Sequence, residues 1–142
     1  MKLSPLAEPP APRAEPLPDT VGRKKALVVD EDAGVLAFAA EALNSFRPGF
    51  DVATARSVDE AAAWLDTFFP DLLLLGLDPA SSAEDLAVAL RSDSRTSHCQ
   101  IIVMAQNPAT EIRLNPVWVG AQAVLAKPIG LKTLLTTVRR LI

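Results

Sequence analysis

Four consecutive leucines, Leu72-Leu73-Leu74-Leu75, set between Pro70-Asp71 and Gly76, constrain this chain more than any other feature. Side chains of a strand alternate between two faces, so a run with no polar residue must be covered on both sides. Strands of that kind belong to parallel sheets held between layers of helix. Asp71 to Leu77 is therefore expected to be a central strand, apolar on both faces.

The neighbouring segments supply what such a strand needs. Lys25-Ala26-Leu27-Val28-Val29 is a second short apolar run, stopped by the acidic loop Asp30-Glu31-Asp32. Val35, Leu36, Phe38, Ala39, Ala42, Leu43 and Phe46 then recur at helical spacing, and Pro48-Gly49 closes that helix. Asp51 to Ala55 reads as another strand. Ser57-Val58-Asp59-Glu60 and Ser81-Ser82-Ala83-Glu84 both have the S-x-x-E form of a capping box, which predicts helices to about Phe68 and Arg91. Gln100 to Ala105 and Ala123 to Ala126 are the fourth and fifth strands. Leu131 to Leu141 closes the chain as an amphipathic helix, with Arg139 and Arg140 at its C-terminal dipole end. Five rounds of alternation with right-handed crossovers predict an α/β, flavodoxin-like, doubly wound five-stranded parallel sheet in the order 2-1-3-4-5, with helices on both faces. Ligands of such sheets sit at the C-terminal ends of strands 1 and 3.

Residues 1–22 are different in kind. They hold six of the twelve prolines, which predicts an extended flexible tail ahead of a domain spanning 23–142. This tail reads either as a spacer or as a docking segment anchored through Leu3, Leu6 and Leu17. A net charge of −3 argues against nonspecific binding to nucleic acid or anionic membranes. No apolar run approaches the ~20 residues of a membrane span. One cysteine, Cys99, cannot form an internal disulfide, and a free thiol suits a reducing cytoplasm, the expected location.

Three segments resemble the bacterial response-regulator receiver domain, and the resemblance covers residues 24–142. Ala26 to Asp32 is similar to its first strand and acidic pair, which implies a divalent-cation site at Asp30 and Glu31. Asp71 to Gly76 is similar to its third strand, with Gly76 at the phosphoacceptor position. Gly120 to Pro128 is similar to its fifth strand, ending in the lysine that pairs with the phosphoryl group, here Lys127. The departures are specific. Gly76 has no side chain to phosphorylate, Ala105 stands where the family's Thr or Ser binds a phosphoryl oxygen, and Val124 stands at the aromatic switch. The resemblance is thus to a degenerate, aspartate-less receiver whose pocket is Asp30, Glu31, Gly76, Ala105 and Lys127.

Asp78 would be a substitute acceptor only if it could reach the pocket. It lies two residues past Gly76, about 6–7 Å along an extended strand, whereas in-line transfer needs reacting atoms about 3–3.5 Å apart. Asp78-Pro79 reads as a turn. The acids Asp30, Glu31 and Asp32 read as ion pairing with Lys127 plus helix N-capping by Asp32, with a weak Mg²⁺ site at Asp30 and Glu31 as the alternative; no cofactor is otherwise expected. His98, in a polar loop, reads as solvated. No G-x-S-x-G, P-loop or G-x-G-x-x-G motif is present, so no enzyme is expected.

The expected role is protein–protein interaction or scaffolding in bacterial two-component signalling, a phosphorelay, localisation or assembly. An atypical receiver phosphorylated on Asp78, or a flavodoxin-like small-ligand binder, are the alternatives. Trp118, Val119 and Val124 are the candidate partner-binding residues, on the face that receivers build from their fourth helix, fifth strand and last helix and commonly use to self-associate. Trp118 either anchors a partner there or packs beneath an irregular segment around Pro116. Trp64 is expected in the core. With no module following the last helix at Ile142, a single-domain protein is expected.

Overall fold

The computed structural model describes residues 23–76, 83–106 and 120–142. Strands β1 (Lys25–Val29), β2 (Asp51–Ala55), β3 (Leu72–Gly76), β4 (Gln100–Ala105) and β5 (Ala123–Ala126) alternate with helices α1 (Ala33–Asn44), α2 (Val58–Trp64) and α3 (Ala83–Ser92), and a terminal helix spans Leu131–Leu141. The sheet is wholly parallel in the order β2-β1-β3-β4-β5, as the alternation predicts.

Strands β1 to β4 divide their side chains between two cores. Leu27, Val29, Leu73, Leu75, Ile101 and Val103 pack on one face with Trp64, Leu86 and Leu90. Ala26, Val28, Leu72, Leu74, Ile102 and Met104 pack on the other with Leu36, Leu43, Leu134 and Val138. All four leucines of β3 are fully buried, two in each core. That double coverage is what an unbroken apolar run requires.

Local chemistry sets the ends of the helices. Asp32 caps α1 by accepting from the Gly34 N–H at 2.7 Å, and Ser57 caps α2 by accepting from the Glu60 N–H at 3.1 Å. The Glu60 carboxylate reaches back one residue further than a capping box requires, accepting from the Arg56 N–H at 2.8 Å. Helix α1 ends at Asn44, before Pro48-Gly49, because Ser45 turns its N–H and hydroxyl onto the Ala42 carbonyl. Helix α2 ends at Trp64 instead of Phe68. A hydrogen-bonded turn continues to Phe68, whose N–H bonds the Trp64 carbonyl at 2.8 Å, and Pro70 disfavours helix in the residue before it. Trp64 lies in the core at 5% exposure, its indole N–H donating to the Thr54 carbonyl at 3.0 Å. Cys99 is buried, and desolvation pushes its thiol up to about 12. The capping box expected at Ser81 and Ser82 and the proline-rich segment 1–22 lie outside the described residues.

Candidate functional site

Strand register brings four strand ends together. Val29 lies beside Leu75, so Asp30 and Gly76, the next residues on β1 and β3, are neighbours. Gly76 pairs with Met104, and Ala105 pairs with Ala126, immediately before Lys127. Backbone hydrogen bonds fix the flanks: the Asp30 N–H donates to the Ala55 carbonyl at 3.1 Å, and the Lys127 N–H to the Ala105 carbonyl at 2.8 Å. The predicted pocket residues Asp30, Gly76, Ala105 and Lys127 therefore do converge on the C-terminal edge of the sheet.

In strand order, β3 and β4 separate β1 from β5, so Asp30 and Lys127 start three strand spacings of about 4.8 Å apart. Their charged groups nevertheless meet, with Lys127 Nζ 2.7 Å from Asp30 Oδ2. The aspartate closes much of that gap by leaning across the end of β3. A Cβ built on Gly76 would stand 3.2 Å from the Asp30 Cβ, 2.7 Å from its Cγ and closer still to Oδ2. The Asp30 carboxylate thus fills the space that a side chain at position 76 would enter.

The pair is largely removed from water, with side-chain exposures of 2% for Asp30 and 17% for Lys127. Oδ1 accepts the Asp32 N–H at 2.9 Å, which ties the carboxylate to the start of α1. Oδ2 has no donor in hydrogen-bonding alignment, so its contact with the ammonium is an ion pair. Ala105 is fully buried and offers only a methyl group. Glu31 is exposed, and its carbonyl accepts from Arg56 Nη2 at 3.1 Å.

This donor set does not fit Mg²⁺. The ion requires a near-octahedral shell of oxygens at about 2.0–2.1 Å. Here an ammonium stands against Oδ2, a backbone N–H holds Oδ1, and residue 76 contributes no side-chain oxygen. Among the described residues no group of three or more His, Cys, Asp or Glu side chains is placed to hold a metal ion.

Other sequence-predicted residues fall elsewhere. Val124 is half-buried on β5 beside Val103. Trp118, Val119 and Asp78 lie outside the described residues. His98, expected to be solvated, is exposed but paired: its Nε2 is 2.9 Å from Asp71 Oδ1, at the N-terminal end of the sheet. Burial works against the charged form of Asp71, but the Lys25 N–H, donating to Oδ2 at 2.9 Å, and the His98 ring outweigh it and hold the carboxyl below its usual range. Two features escaped the sequence reading: this pair, and the placement of the Asp30 carboxylate in the volume above Gly76. A glycine ending a run of leucines was the available signal for the second, since strand glycines mark close approach by another group.

Comparison with solved structures gives the same architecture. The chain is similar to the chemotaxis response regulator CheY4 of Vibrio cholerae, at 25% identity and a TM-score of 0.72, covering 84% of this chain and 99% of that one. It is also similar in fold to a response regulator from Thermotoga maritima (24% identity, TM-score 0.71, 84% and 98% covered). A CheY-like receiver domain protein from Methanospirillum hungatei JF-1 matches at 22% identity and a TM-score of 0.70, covering 84% and 93%. Comparison with curated proteins finds no match. The family model for the response regulator receiver domain matches residues 26–139, from the start of β1 almost to the end of the terminal helix. With that match spanning the whole sheet and the acid and lysine at its C-terminal edge, this chain belongs to the response regulator receiver domain family.

Proposed function

We propose that this receiver works without phosphorylation, as a protein-binding module of fixed shape in a bacterial two-component pathway, in the cytoplasm. One observation carries the reading. Gly76 occupies the position at which the resemblance places the phosphoacceptor, and the Asp30 carboxylate fills the space above it. A phosphoryl group needs a nucleophile, and residue 76 has none. Ala105 removes the hydroxyl that would hold a phosphoryl oxygen, and Val124 removes the aromatic ring that would report it. Together these changes take away acceptor, sensor and relay, while the core that fixes the surface stays complete.

A receiver with no switch to throw binds through a pre-formed surface, so a partner recognises one conformation and no shift of population is required. Trp118, Val119 and Val124 are the proposed contact residues, with partners among other signalling or scaffold proteins and self-association through the same face. The segment 1–22 is proposed as a spacer.

The test is partner capture from the native cell extract by the immobilised full chain, with and without beryllofluoride and Mg²⁺, alongside amide NMR spectra. The expected result is one set of partners and one spectrum under both conditions. Capture or amide shifts that depend on beryllofluoride would overturn the reading.

A further inference from the structure

We propose that Lys127 serves as the resident cation of this pocket, and that the Asp30–Lys127 pair, seated over Gly76, keeps divalent metal out. The inference rests on the unphosphorylated reading of the pocket and adds what occupies it instead. Asp30 is the obvious oxygen donor at this edge of the sheet, with 2% side-chain exposure and one oxygen, Oδ2, lacking an aligned hydrogen bond. A buried carboxylate of that kind requires a positive neighbour. The ammonium of Lys127, a compact point charge, supplies it at 2.7 Å.

Geometry makes Gly76 part of the same arrangement. With any larger residue there, the carboxylate could not lie where it does, because a Cβ would come within 2.7 Å of the Asp30 Cγ. The exchange is reciprocal: residue 76 gives up its side chain, Asp30 moves over β3, and the lysine of β5 finds its anion without a metal to bridge them. An incoming divalent cation would have to displace the ammonium and would gain no side-chain oxygen from residue 76 in return.

Mn²⁺ serves as a paramagnetic probe, titrated into the parent chain, Lys127→Gln and Asp30→Asn, with no phosphoryl donor present. Broadening of the Asp30 and Gly76 amides reports binding, and far-UV circular dichroism reports folding. The parent is expected to show no saturable broadening at these amides up to millimolar Mn²⁺. Lys127→Gln keeps most of the stem but not the charge, and is expected to bind at least about tenfold more tightly than the parent. Asp30→Asn is expected to show none. Saturable broadening in the parent that Asp30→Asn abolishes would overturn the inference, and this arm decides the matter even if Lys127→Gln does not fold. A folded Lys127→Gln that binds no better than the parent would also overturn it. Either failure leaves the proposed function standing, because that reading falls only to a phosphoryl adduct or a beryllofluoride response.

Discussion

At the C-terminal end of the sheet Asp30 meets Lys127 with side-chain exposures of 2% and 17%; at the N-terminal end Asp71 meets His98 with 29% and 57%. The distances are close, 2.7 Å and 2.9 Å. Water separates the two cases. A desolvated carboxylate cannot fall back on solvent when its partner is removed, whereas a half-exposed one can. The first pair is consequently a structural commitment of the domain and the second a surface contact. Asp71 is anchored independently of His98 by the Lys25 N–H, which ties the entry of β3 to β1.

The largest effect should come from Lys127→Met. Removing one partner of a buried pair costs about 3–5 kcal/mol, and the partial exposure of the lysine points to the lower end, about 3 kcal/mol. Urea unfolding of mutant and parent at neutral pH measures it. A loss no greater than that of His98→Ala would erase the distinction between the two ends.

Next in size is Gly76→Ala. Its methyl group would force the Asp30 carboxylate aside, an overpacking of the kind that costs about 1–3 kcal/mol. In an Asp30→Ala background the same substitution meets no carboxylate, only the residue-30 Cβ at 3.2 Å, and most of the penalty should be lost. That coupling is read from a double-mutant cycle. Equal penalties in both backgrounds would mean that Asp30 does not occupy the volume above Gly76.

The smallest effect belongs to the opposite end. His98→Ala should cost no more than about 1 kcal/mol, as half-exposed pairs do. Asp71 sharpens the contrast through pH. Its carboxyl is held below the ordinary aspartate value of 3.8, so the stability it contributes is present above that pH and is lost as pH falls through the lower folded value. Asp71→Asn should therefore flatten the stability profile below pH 3.8 and leave its shape unchanged near neutrality. An altered slope between pH 5 and 8 would assign the titration to a group other than Asp71.

The sequence made the sheet legible because its signals are local or periodic. Four leucines in a row demand two covered faces, and Asp32 and Ser57 announce helix starts with the side chains that then perform the capping. The pocket was legible as a set of residues, since strand ends in a parallel sheet must converge where the register puts them. Its interior arrangement was not. That Asp30 lies over Gly76 depends on the direction of one side chain, which is fixed by the Asp32 N–H, by Lys127 and by the empty space at position 76 together. The Asp71–His98 contact was hidden for a related reason. The partners are 27 residues apart, and neither pattern nor spacing links the start of one strand to the loop before another.

The central claim, that this receiver has exchanged its phosphorylation chemistry for an internal ion pair, is tested most directly by intact-mass spectrometry of the full chain incubated with acetyl phosphate and Mg²⁺. The account predicts no change in mass for the parent. A stoichiometric gain of one phosphoryl group, labile to base as an acyl phosphate is, would contradict it and direct attention to Asp78.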